Sequence, residues 1–257
     1  MGARRFEVGV MAVAVHDDVA SLARAVADEA ASVIGAAVEE RGGARAMFAT
    51  GNSQLAFVDA LVTATPGVPW DRVEVFHMDE YVGVGPDHPA GFQRWIRERI
   101  VERARPRVAH YFDGLGDPPT ECDRYAALLA EAPLDLCCLG IGVNGHLAFN
   151  DPPVADFDDP LDVKVVELDE TCRRQQVDEG HFAGMADVPA HALTVTIPAL
   201  LRAGTVLAVV PERRKAPPVR DALEGPVSTA CPASLLRTRD NVRLHLDSES
   251  ASLLDPQ

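Results

Sequence analysis

The run Leu134-Asp-Leu-Cys-Cys-Leu-Gly-Ile141 is apolar at nearly every position, and it empties into the polar, glycine-bounded segment Gly142-Val-Asn-Gly-His-Leu-Ala-Phe-Asn-Asp151. A short run with no polar face has to be covered on both sides, the situation of a strand inside a parallel sheet. In open sheets of that kind ligands collect beyond the carboxyl ends of the strands. Chemistry is therefore expected in the loop. Its His146, Asn144 and Asp151 supply an imidazole, an amide and a carboxylate, the components of an oriented general acid or base.

The rest of the chain alternates between the two periodicities. Ser21 to Val38 carries apolar residues at helical spacing and ends at Gly42-Gly43; Ala44 to Ala49 is an apolar strand candidate. Thr50-Gly51-Asn52-Ser53 leads into a helix predicted over 54–63 and closed by Pro66-Gly67. Strands are predicted at 73–77, 163–166, 193–197, 205–210 and 241–246, and helices at 91–101 and 125–132. A helix over 213–223 should be regular only after Pro217-Pro218. Pro152 to Pro160, acidic and broken by proline, reads as a surface loop. Strands alternating with helices predict an α/β fold with a mostly parallel sheet covered on both faces, and no linker divides residues 1–257, so a single domain is expected.

A net charge of −15 over 257 residues excludes nucleic acid as a natural partner, because such binding needs a basic footprint. The same charge makes a site for a small anion conspicuous, since only local cations can reverse the general field. Arg173, Arg174, Arg213, Arg214 and Lys215 are the candidates. The cysteines are five in number, with no CxxC spacing, which fits reduced thiols in a cytoplasm. No apolar stretch approaches membrane-spanning length and no export signal is visible, so no membrane partner is expected.

Several motifs have two readings. The Thr50, Gly51, Asn52, Ser53 turn between strand and helix is either an anion site built from backbone N–H groups or an ordinary cap with Asn52 or Ser53 as N-cap; it matches neither GxGxxG nor a Walker loop. Asp79 and Glu80, at a strand end, are either a general base or the start of a solvated turn, and as neighbours in extended chain they face opposite ways, so one at most lines a site. His146 is either a structural loop histidine or an acid–base group held by Asn144 and Asp151. The His146 to Asp151 spacing matches no zinc or iron signature, and no metal is expected. Lys215, with Arg213 and Arg214, places cations where they oppose a helix dipole, which is tolerable with an anion between them.

In order along the chain stand ATGNS, MDEYVG followed by HPAGF, LGIGVNGHLAFNDP, VPAHALTVTIPALL, RRKA and EGPVS. Together they resemble the glucosamine-6-phosphate deaminase family, also called glucosamine-6-phosphate isomerase, over about seven tenths of the chain. The related 6-phosphogluconolactonases have a similar histidine loop but usually continue it with serine and leucine, where this chain has Ala148-Phe149-Asn150.

The resemblance implies a Rossmann-like sheet without a cofactor and a small-molecule sugar phosphate as substrate, converted with water to a ketose phosphate and ammonia. It implies Asp79 as the base acting between C2 and C1, and His146 as the ring-opening group tuned by Asn144 and Asp151. Thr50 to Ser53 and Lys215 would hold the phosphate, and a homo-oligomer would be in keeping with it. Three departures stand out. Asp151 replaces a frequent glutamate. Asn144 occupies a position that is aspartate in some members. The family's phosphate-binding arginine, which normally precedes a phenylalanine pair, has no clear counterpart in Arg173-Arg-Gln-Gln-Val-Asp-Glu-Gly-His-Phe182, where Arg173 or Arg174 is the expected replacement, Arg174 being the one carried forward. The alternatives are a lactonase or isomerase of another sugar phosphate and a non-catalytic sugar-phosphate sensor.

Overall fold

The computed structural model describes residues 3–65 and 67–255. The first elements are β1 (Arg4–Val8), β2 (Met11–His16), α1 (Val19–Arg41), β3 (Ala44–Phe48) and α2 (Leu55–Asp59). Next come β4 (Val73–His77), β5 (Asp79–Tyr81), α3 (Phe92–Ile96), α4 (Glu102–Ala104), β6 (Val108–His110), α5 (Pro118–Ala130) and β7 (Leu136–Leu139). The last are β8 (Val163–Glu167), α6 (Glu170–Asp178), β9 (His191–Val195), α7 (Ile197–Leu201), β10 (Thr205–Val210), α8 (Ala216–Glu224) and β11 (Val242–Asp247).

Eight strands form one sheet in the order β1-β2-β11-β10-β7-β3-β4-β6. Every pairing is parallel except the β1–β2 hairpin at the edge. Successive residues of the central strands go to opposite cores: Phe48, Cys138 and Leu207 pack under α1 with Leu22, Val26 and Ile34, while Met47, Cys137 and Val206 pack on the far side. This is the two-sided burial that the apolar runs call for, and the mostly parallel α/β expectation holds. Among the described residues no helix is long and apolar enough to cross a membrane. All five cysteines are unpaired.

Two expected strands, 163–166 and 193–197, do not join this sheet. As β8 and β9 they form a small antiparallel sheet with β5, in the order β5-β9-β8. In β8 only Val163 and Val166 are buried while Val165 and Glu167 are open, so the strand is not covered on both sides as the central strands are. The expected strand at 193–197 also ends earlier, because the Thr196 side chain caps α7 and Pro198 occupies its first turn.

Helix α1 starts earlier than Ser21, capped by a reciprocal Asp18–Ser21 pair, and Gly42 ends it. The helices at 54–63 and 91–101 form but run into wide turns over 60–64 and 97–101. Pro66, expected to close the first of them, lies outside the described residues. Pro217 and Pro218 do not delay α8, which begins at Ala216; they sit in its first turn, where no N–H partner is needed.

Candidate active site

From β3 the chain builds outward to β4 and β6, and from β7 it builds the other way to β10 and β11. Strands β3 and β7 are neighbours, so the loops after them diverge and open a crevice at the carboxyl edge. The cleft there is lined by Thr50 to Ser53 after β3, Asp79 on β5, Gly140 to Gly142 and His146 after β7, and Arg214 and Lys215 after β10. One face is completed by Gln175 and Gln176 of α6, with Glu179 and His181 just beyond its end.

The histidine loop is a tight turn in which the Gly142 N–H donates to the His146 carbonyl (2.9 Å) and the Gly145 N–H to the Gly142 carbonyl (3.1 Å). The motif's glycines have separate reasons. A β-carbon on Gly142 would lie 2.2 Å from the His146 ring, and Gly145 has φ of 83° with the Cys231 sulfur 2.7 Å from its missing β-carbon. Ala148 also has a positive φ, 50°, without glycine's freedom.

His146 Nδ1 lies 2.8 Å from Asn144 Oδ1 and 2.8 Å from Asp151 Oδ1. The Asn144 side chain in turn donates to Asp151 Oδ1 at 2.9 Å. With two oxygens facing Nδ1, that nitrogen carries the proton and Nε2 is left as the acceptor. Asp151 is fully buried. Burial works to raise its carboxyl, but the His146 imidazole and the Asn144 amide outweigh it and hold the group below the usual carboxylate range. The shorter Asp151 side chain thus makes a direct contact with the ring, and the Cys172 thiol stands within 4.8 Å of both.

Asp79 and Glu80 do face opposite ways. Glu80 turns from the cleft and accepts N–H groups from Tyr81 (2.9 Å), Phe92 (3.1 Å) and Gln93 (2.7 Å), so it anchors the start of α3. Asp79 lines the cleft, and its Oδ1 is buried without a hydrogen-bond partner. Burial, reinforced by the Glu80 charge, raises its carboxyl well above the usual range.

At the opposite end Lys215 is buried, and burial with the neighbouring Arg214 charge lowers its ammonium to about 8. No side chain caps the turn at Asn52 to Gln54 or the start of α2, so the N-cap reading of Asn52 or Ser53 is not realised. Instead Gln54 reaches across to the Val209 carbonyl (3.0 Å) and fixes the loop to β10.

Arg174 is not in the cleft. It lies on the open side of α6 and pairs with Glu170 one turn away (2.6 Å), because its position on the helix faces outward while Gln175 and Gln176 face in. Arg173 is consumed by the carbonyls of Met185 and Val188 (2.7 and 2.9 Å). The arginine that does line the cleft is Arg214, held at 2.6 Å by both Glu179 and Glu212. Glu179 also accepts from Gln175 (2.7 Å) and faces His181 (3.4 Å).

Residues 17–245 match the profile of the glucosamine-6-phosphate isomerases/6-phosphogluconolactonase family. The chain belongs to this family. A relative from Exiguobacterium sibiricum named glucosamine-6-phosphate deaminase is 38% identical over 195 residues, covering 73% of this chain and 75% of its own length. One of the same name from Arthrobacter sp. is 35% identical over 212 residues, 80% of each chain. Among solved structures, a monomeric glucosamine-6-phosphate deaminase superposes with a TM-score of 0.85 at 28% identity, covering 94% of this chain and 99% of that one. A 6-phosphogluconolactonase from Shewanella baltica has a TM-score of 0.77 at 20% identity over 96% and 100%, a likeness of fold. Both branches of the family share the sheet, so the side chains in the cleft have to decide the chemistry.

Proposed function

We propose that this protein is a hexosamine-6-phosphate deaminase, converting glucosamine 6-phosphate, or its galacto epimer, and water to the ketose 6-phosphate and ammonia. The observation that carries this reading is Asp79: a buried, proton-hungry carboxylate with an unpartnered oxygen, in the same cleft as an imidazole with a free acceptor nitrogen. Lactone hydrolysis needs one base to activate water. Isomerisation needs a second base at the carbon next to the carbonyl.

Each step is a proton transfer or the addition of water. His146 Nε2 takes the proton from the sugar's O1 hydroxyl and returns one to the ring oxygen, opening the hemiacetal. Asp79 removes the C2 proton from the resulting amino aldehyde while O1 gains a proton, giving an enolamine; it then delivers its proton to C1 as the nitrogen gives one up, forming the C2 imine. Water adds to that imine and ammonia leaves, so atoms balance. Lys215, Arg214 and the Thr50 to Ser53 loop hold the phosphate, whose binding energy orients the reacting carbons. These lining side chains all lie on one chain, and the homo-oligomer expected from the resemblance is not needed to bring them together. An action on a metabolic sugar phosphate is in keeping with a cytoplasmic enzyme.

The test is product analysis on purified protein with glucosamine 6-phosphate, galactosamine 6-phosphate and 6-phosphogluconolactone. Release of ammonia and ketose phosphate in equal amounts is expected from at least one amino sugar. Lactone hydrolysis alone would assign the chain to the other branch, and tight binding with no turnover of any of the three would make it a sensor.

A further inference from the structure

Behind the His146 ring a thiol that the proposed reaction does not use completes a donor set. His146 Nδ1, a carboxylate oxygen of Asp151 and the Cys172 sulfur all lie within 4.8 Å of one another. Asp151 and Cys172 are fully buried, and Asp151 Oδ2 takes no hydrogen bond of ordinary geometry; the group beside it is the Cys172 thiol. Asn144 Oδ1, 2.8 Å from His146 Nδ1, supplies a fourth donor on the same side. The sequence spacing of His146 and Asp151 has no metal signature; the fold completes the set by bringing in α6.

We infer that His146, Asp151 and Cys172 form a binding site for a thiophilic divalent cation, zinc above all, and that filling it switches the enzyme off. Imidazole, carboxylate and thiolate are a set that zinc accepts readily, and with bonds of about 2.0 Å to nitrogen and about 2.3 Å to sulfur a tetrahedral ion spans donors roughly 3–4 Å apart. Zinc takes cysteine as the thiolate. Binding therefore displaces the thiol proton to solvent, and affinity must rise with pH. The ion also replaces the proton on His146 Nδ1. The proton displaced from Nδ1 moves to Nε2, and a ring protonated there can no longer take one from the sugar hydroxyl. The inhibition rests on the reading of His146 as proton shuttle; the binding does not.

Full-length protein stripped with a chelator is titrated with zinc by calorimetry and with cobalt by absorption spectroscopy, and deaminase activity is followed in parallel. One ion per chain is expected, with a thiolate-to-cobalt charge-transfer band and loss of activity in step with zinc binding. Cys172→Ala should weaken binding by about 100-fold or more, and Cys122→Ala, which removes a thiol on α5, should leave it unchanged. Should Cys172→Ala fail to fold, the cobalt spectrum of the unaltered protein decides. Absence of binding, a cobalt spectrum without the thiolate band, or undiminished binding in Cys172→Ala each overturns the site. Binding as described with full activity retained overturns the switch and, with it, the role given to His146.

Discussion

Asp79 and Thr194 stand opposite each other in the β5–β9 ladder, and the Thr194 hydroxyl accepts the N–H of Phe149 (3.1 Å) in the histidine loop. Asn150 adds a second tie, donating to the Val195 carbonyl at 2.9 Å. The proposed base and the proposed ring-opening acid are thereby braced against the same strand, although they arise from different sheets. Thr194→Val keeps the shape and leaves the Phe149 N–H buried without an acceptor. The expected stability loss is about 1–3 kcal/mol by denaturant unfolding. The spacing of base and acid should loosen too, with kcat falling about 10–100-fold; a variant that lost stability at unchanged kcat would show that the brace does not set the geometry.

Asp79→Asn removes the base at nearly constant shape. Turnover should fall by about 10²–10⁴-fold or more while binding of a phosphate-bearing inhibitor, measured by calorimetry, is spared. In the unaltered protein the acid limb of kcat/KM should sit above the ordinary carboxylate range, because Asp79 acts only once ionised and its pKa is raised. Activity is then lost as pH falls through that value, and a limb near pH 4 would sever the limb from Asp79.

The phosphate end should fail in the other direction. Lys215 is charged below about pH 8 and neutral above it, so KM should rise through that pH while kcat changes little. Arg214→Ala, which removes the arginine lining the cleft, should raise KM about 10–100-fold. Arg174→Ala removes an exposed pair worth at most about 1 kcal/mol and should leave KM within about twofold. Equal effects of the two substitutions would refute the exchange of roles.

Gly142→Ala puts a β-carbon where the Cε1–Nε2–Cδ2 edge of His146 lies. The ring must move, and kcat should drop by about 10²–10⁴-fold with inhibitor affinity retained. A fully active Gly142→Ala protein would mean that His146 has no fixed place in the reaction.

The central strands were legible because two-sided burial leaves an unbroken apolar run, and the histidine loop because two glycines frame it. Helix α6 was not. Its Glu-Thr-Cys-Arg-Arg-Gln-Gln-Val-Asp has too few apolar residues to show a stripe, and yet it brings Gln175, Gln176 and Cys172 to the site, with Glu179 directly after it. The choice between Arg174 and Arg214 depends on which side of α6 faces the cleft, a fact of packing that adjacent arginines do not reveal. A signal did exist at Arg213-Arg-Lys215, where cations crowd a helix start against its dipole. The small antiparallel sheet was equally hidden, since β8 and β9 look like any other strands until their partners are known.

Ala148 spends its place in the histidine loop in a backbone conformation that costs an alanine about 1–2 kcal/mol. Relief is one substitution away, and a glycine there would let the loop settle. A population selected only for surviving heat would be drawn to that change.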